Sequence, residues 1–193
     1  MEMILTFFAG AAFVLVALWL ISRRFDFPAQ QPDDYRGGPE FDIRTVLNGP
    51  IACEGLIYGP TGRVTTRFVA KFEAEWTGNS GILREHFQYD SGTSQDREWQ
   101  LSVDETGAIT AQAADLVGTG SGQQTGSGVQ LNYKIKLPDS SGGHVLDVVD
   151  WMYMLDNGVI MNRSQFRKFG IKVGELVATM RPLPEPAKEQ EAA

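Results

Sequence analysis

The residues able to do chemistry gather in residues 150–175, DWMYMLDNGVIMNRSQFRKFGIKVGE. Asp150, Asn162, Arg163, Ser164, Arg167, Lys168 and Glu175 lie there, mixing carboxylates, cations and hydrogen-bonding groups. Two uses fit. Arg163 and Lys168 offer the donors that hold a carboxylate or phosphate head group. Alternatively, Asp150, Asn162, Arg163, Ser164 and Glu175 form a structural polar cluster, in which Arg163 pairs with Asp150 or Glu175 and pins the closing strands. The second is the commoner use of ion pairs at barrel ends. Ser164, His144 and Asp150 hold the residue types of a hydrolase triad. No G-x-S-x-G elbow surrounds Ser164, and composition without geometry makes no triad. No catalytic residue is assigned, and a binding or interaction module is expected rather than an enzyme.

Other chemistry is thinner. Glu73 and Glu75 share a face with Lys71, which suits solvation or cross-strand pairing better than acid–base work. GTGSGQQTGSG at 118–128 lacks the G-x-x-x-x-G-K-[ST] phosphate loop and reads as a flexible or bulged hairpin. The lone Cys53 excludes an internal disulfide, and His86 and His144 lack zinc-ligand spacing. No metal and no cofactor is expected. The net charge of −7, without any basic run, excludes nucleic acid as a partner.

The elements that must position these groups are strands. Val64, Thr66, Phe68, Ala70, Phe72, Ala74 and Trp76 alternate with Thr65, Arg67, Val69, Lys71, Glu73 and Glu75, so one face is apolar and the other mostly charged. Leu83, Glu85, Phe87 and Tyr89 alternate against Arg84, His86 and Gln88. Trp99, Leu101 and Val103 follow, then Ile109, Ala111 and Ala113, then Val129, Leu131, Tyr133, Ile135 and Leu137. Val145, Asp147, Val149, Trp151, Tyr153 and Leu155 make a further face. Asn157-Gly158 predicts a hairpin with both central residues at positive φ. Residues 150–155 are then paired with 159–163, and 171–180 lies on the other side of 159–163, with 162–168 as a polar corner. Nine or ten antiparallel strands at this spacing predict an all-β, up-and-down, lipocalin-like barrel, with a two-sheet sandwich as the rival. The aromatic residues either fill its interior or line a ligand cavity. Trp76, Trp99, Tyr133, Trp151 and Tyr153, with Arg163 and Lys168, are the candidate ligand-binding set.

ILTFFAGAAFVLVALWLI, residues 4–21, is uncharged and, at 1.5 Å per residue, about 27 Å long, close to a hydrocarbon core. The preceding Glu2 and the absence of a small-x-small site argue against a cleaved signal peptide. The expectation is a single-pass anchor over residues 1–25 in a bacterial inner membrane. Arg23-Arg24 on its C-terminal flank places that flank in the cytoplasm by the charge rule. Residues 26–50, with Pro28, Pro32, Pro39 and Gly37-Gly38, read as a tether. Residues 51–181 form the barrel, with 182–193 a disordered tail.

GPTGRVTTRF, Tyr89-Asp90-Ser91-Gly92, DWMY, DNGVIMNRS and KFGIKVGEL together resemble a bacterial lipoprotein family, a domain of unknown function with a lipocalin-like barrel. The resemblance implies a barrel and membrane association, a periplasmic placement, and partners among lipid-modifying enzymes. It implies no activity. Relatives of that kind start at an acylated Cys, where this chain has an apolar segment. The function expected is a membrane-tethered module that binds a lipid, fatty acid or other apolar ligand, or supports membrane lipid modification. The alternative is an assembly factor for another membrane protein. A lipid-ester hydrolase using Ser164 ranks last.

Overall fold

In the computed structural model, which describes residues 2–184, the alternating segments close on one another as ten antiparallel strands. They are β1 (Gly49–Tyr58), β2 (Val64–Thr77), β3 (Ser80–Tyr89), β4 (Ser94–Val103), β5 (Ala108–Ala113), β6 (Gly120–Thr125), β7 (Gly128–Lys136), β8 (Val145–Met154), β9 (Ile160–Lys168) and β10 (Ile171–Pro182). Each strand pairs with its neighbours in sequence, and β10 returns to β1, so no edge is left open. The barrel is the up-and-down arrangement, not the sandwich. Of the tail, residues beyond 184 lie outside the described residues.

Period-2 patterning sets the walls. On β2, Phe68, Ala70, Phe72 and Ala74 are buried, while Val69, Lys71, Glu73 and Glu75 face out. A one-residue slip would exchange the two sets, so the register is strongly specified. The β8–β9 hairpin forms at Asn157-Gly158 as anticipated, with Met152 opposite Asn162, and β10 takes the other side of β9. Its turn differs from the expected one. Gly158 alone adopts a left-handed φ, +79°, while the Asn157 side chain accepts from the Val159 N–H at 3.1 Å. Leu155 N–H donates to Val159 O, and Gly158 N–H to Leu155 O, both at 2.9 Å. That is a three-residue loop ended by a left-handed glycine, the other common hairpin solution.

Three further features depart from the sequence reading. The Gly-rich stretch supplies a regular strand, β6: a Cβ on Gly122 would stand 2.1 Å from Gln130 O, so small residues let β6 lie close on β7. Residues 162–168 are strand rather than corner, and the chain turns at Phe169-Gly170 instead. On β8 the inward residues include Val148, Asp150 and Met152, so the assigned face of Trp151 and Tyr153 is the outer one. Trp151 is nonetheless fully buried, because another segment covers it.

That segment is the Pro-rich stretch after α1 (Glu2–Phe25). It makes 3-10 turns at Phe27–Ala29 and Pro32–Tyr35 and descends the outer wall of β8 and β9. Asp26 pairs with Arg167 at 2.7 Å near the top, Phe27 lies under the Arg163 guanidinium at 4.6 Å, and the Tyr35 ring meets Trp151 and Tyr153 at 5.0 and 5.1 Å. Ser127 N–H donates to Tyr35 O at 3.0 Å, and Phe41 N–H to Gly126 O at 2.8 Å. A short helix, α2 (Ile43–Val46), then plugs the lower barrel end with buried Ile43 and Leu47. α1 itself is apolar enough to cross a membrane, and none of its apolar window is buried against the barrel.

Candidate functional site

Above the α2 plug the barrel is hollow. The cavity holds about 600 Å³ and runs from Ile43 and Leu47 up to Leu116, Val117 and residues 137–139 at the opposite rim. Its walls are mostly apolar: Phe68, Phe72, Phe87, Leu131, Met152 and Phe166 among others. The volume is in the range of small-molecule sites.

A compact polar cluster interrupts this wall. Inward alternation on β3 runs Leu83, Glu85, Phe87; on β4 it runs Gln95, Arg97, Trp99; and the ladder puts Glu85 opposite Arg97. Arg97 Nε lies 2.9 Å from Asp115 Oδ2, and Nη2 donates to Oδ1 at 3.1 Å. Its guanidinium stacks 4.0 Å over the Trp99 ring. Asp115 sits in the turn after β5, which folds back on β7 through Val117 N–H to Lys134 O and Lys136 N–H to Asp115 O. Across the cavity, Asp150 faces Ser164 in the β8–β9 ladder and accepts from Ser164 Oγ at 2.7 Å and Asn162 Nδ2 at 2.5 Å.

Burial sets the electrostatics. The Glu85 side chain is 10% accessible, and its carboxyl is pushed up to about 7, by desolvation first, with Arg97 and Trp99 opposing. Asp150 is also raised by burial, against the hydrogen bonds of Ser164 and Asn162 and the charge of Arg97. Burial raises the Tyr133 phenol as well. Cys53, on the same lining, is pushed up to about 12 by burial, with Glu85 adding to it, which keeps it a thiol. Three carboxyl groups thus share one guanidinium. Arg97 is engaged by Asp115, and its Nη1 stays 3.9 Å from Glu85 Oε2. That oxygen has no hydrogen-bond partner among the described residues.

The candidate residues separate by strand face. Trp99 and Tyr133 line the cavity. Trp76 is lower, its indole N–H donating to Leu47 O at 2.7 Å, where it braces the plug. Trp151, Tyr153 and Arg163 lie on the outer wall under the 26–47 segment. Lys168 reaches His144 Nδ1 at 2.8 Å at the upper rim. The polar cluster splits likewise: Asp150, Asn162 and Ser164 point in, whereas Arg163 pairs outside with Glu175, which Lys172 also holds at 2.9 Å. Of the two partners proposed for Arg163, Glu175 is the one used. Ser164 donates to Asp150 and His144 bonds Lys168, so the triad types are not assembled. Among the described residues no group of His, Cys, Asp and Glu could hold a metal ion.

Glu85, Arg97 and Asp115 were not among the candidates. Glu85 had a signal, a carboxylate in phase with Leu83 and Phe87, and Arg97 stands two residues before Trp99 in the same phase. Asp115 had none.

Fold and site define a closed antiparallel barrel with a hollow, apolar interior and a buried acid–arginine cluster. The family model described as "Protein of unknown function (DUF3833)" matches residues 24–182, and the chain belongs to that family. The match takes in the docked 26–47 segment together with the barrel. No curated protein matches the chain. Among solved structures, "Crystal Structure of Rv2717c from M. tuberculosis" is similar over 72% of this chain and 94% of that one, at 16% identity and a TM-score of 0.49.

Proposed function

We propose that this protein is a membrane-tethered binding module that holds an amphipathic lipid, its apolar body in the barrel and its polar end at Glu85 and Arg97. The observation that carries the reading is the 600 Å³ apolar cavity with a nine-tenths-buried carboxyl oxygen, Glu85 Oε2, in its wall that has no hydrogen bond among the described residues. A buried acceptor without a partner is costly, and a ligand donor would relieve it. Burial of about ten methylenes at ~0.8 kcal/mol each supplies about 8 kcal/mol before ordering costs, enough for a useful complex.

The cluster also selects the polar end. A ligand carboxylate would meet Glu85, Asp115 and Asp150, with Arg97 already engaged. A hydroxyl, amide or ammonium would instead donate to Glu85. The reading therefore favours a neutral or cationic lipid over a free fatty acid. α1 serves as the anchor, and the bound lipid is either stored or presented to a membrane enzyme.

Gentle purification of the full chain followed by solvent extraction and mass spectrometry tests this. A stoichiometric lipid is the expected result. Displacement of a barrel-bound Nile red should be stronger with a fatty alcohol than with the fatty acid of equal length. A barrel that is empty in every preparation and takes up no Nile red would overturn the reading.

A further inference from the structure

The two barrel ends differ. The lower one is stoppered by α2 and Trp76, and the cavity lining reaches the upper rim at Leu116, Val117 and residues 137–139. The same upper rim is where α1 delivers the chain. α1 ends at Phe25, and the next residue, Asp26, is pinned to Arg167, whose Nη1 donates to Gly170 O at 3.0 Å in the β9–β10 turn. A helix able to span a bilayer thus joins the barrel beside the mouth of its cavity.

That turn carries a residue the fold does not need. Phe169 is 91% exposed, and it is the one non-glycine of the described residues at positive φ, +53°. A bulky side chain there is strained and buries nothing. Ile171, two residues on, is 69% exposed. Val64, Val117 and Val145, from three other parts of the rim, are exposed too. The charges among them are mixed: Lys168 stands 5.7 Å over the Phe169 ring and Lys136 pairs with Asp139 at 4.0 Å, so the rim has no strong sign.

We infer that the upper rim is a membrane-docking face: Phe169 and Ile171 enter the bilayer that α1 crosses, and the cavity mouth opens onto the lipid surface. The inference rests on the proposed lipid-binding role and on α1 as an anchor, and adds the route of entry. The apolar window of α1 ends at Ile21, and Asp26, five residues on, is already fixed to this rim, so with the rim docked a lipid passes from bilayer to barrel without crossing water. Contact is through apolar side chains, so it needs no anionic lipid.

The test uses the full-length chain, with Cys53 buried and kept as a thiol, so an introduced cysteine takes the label. Phe169→Cys and, at the opposite end, Asp156→Cys are labelled with an NBD fluorophore and reconstituted into phosphatidylcholine vesicles. Resistance to alkaline carbonate extraction reports α1 insertion separately. The expected result is quenching of the 169 probe by doxyl lipid and about tenfold less quenching by aqueous iodide than at 156, as burial of an apolar side chain in lipid implies. Equal iodide quenching at both positions, in protein that resists carbonate, overturns docking and leaves the anchor standing. Extraction by carbonate overturns both. Protection at 169 without quenching by lipid reports a protein cover and also overturns the inference. A second variant, Phe169→Glu with Ile171→Glu, should slow Nile red uptake from vesicles about tenfold while uptake from detergent micelles and the melting temperature stay unchanged. Unchanged uptake from vesicles overturns it.

Discussion

Glu85 and Arg97 face each other directly across β3 and β4, yet their charged ends stand 3.9 Å apart and Arg97 spends its hydrogen bonds on Asp115. The buried acid is left half-compensated. A fully paired site would serve structure alone; this one keeps an open acceptor in the wall of a cavity.

The first consequence is a pH dependence. Glu85 titrates near 7 in the fold against 4.5 for the ordinary carboxyl. The folded state therefore holds a proton that the unfolded chain releases. Stability from this group is complete below about pH 4.5, falls as pH rises towards 7, and levels off above. The span is about 3 kcal/mol. Asp150, also raised, acts in the same direction. Glu85→Gln should flatten the decline between pH 5 and 8 in urea melts. An unchanged slope would show that Glu85 is not the titrating group.

Removing the cation has the opposite character. Arg97→Met leaves Asp115 and Glu85 facing the cavity without their counter-charge. Breaking a buried pair from one side costs about 3–5 kcal/mol. The loss should shrink at low pH, where Glu85 is protonated and needs no counter-charge, and equal losses at pH 4 and pH 8 would sink the charge explanation.

Arg163 looks similar in sequence and should behave differently. Its side chain is 46% exposed, and Lys172 stays on Glu175 when Arg163 is removed. Arg163→Ala should cost about 0–1 kcal/mol, as exposed pairs do. A loss near that of Arg97→Met would mean that the stacking of Arg163 on Phe27 matters more than the pair.

What the sequence conveyed follows from periodicity. β2 alternates without exception from Phe68 to Ala74, so its inward face was legible, and Asn157-Gly158 located the β8–β9 hairpin. β8 misled because neither face is exposed over its second half, 149–154, where the inner face lines the barrel and Tyr35 covers Trp151 and Tyr153 on the outer one. The docked segment was opaque for the same reason in reverse. It is held by single aromatics, Phe27, Tyr35 and Phe41, spaced by prolines with no repeat. Within the site, Glu85 and Arg97 were visible as charges in an apolar phase. Asp115 belongs to a turn, where no period says which way a side chain points.

Docking of that segment gives the last prediction. Gly126 sits at φ +53° in the β6–β7 turn, and a Cβ there would stand 2.2 Å from Tyr35 O. Backbone contact this close leaves no flexible atom to yield, so Gly126→Ala must push the segment off the wall. Tyr35 would then uncover Trp151, and the hydrogen bonds Ser127 N–H to Tyr35 O and Phe41 N–H to Gly126 O would break. α2 begins two residues after Phe41, so the plug loosens with it. Hydrogen exchange over residues 26–47 should rise strongly in Gly126→Ala while β2 and β3, on the far side of the barrel, stay protected. Tyr35→Ala should give the same pattern through lost aromatic packing, with a cost of about 3–5 kcal/mol if the wall fails to close over Trp151. Exchange that rises evenly over the whole barrel would instead mean that the segment and the barrel unfold as one unit.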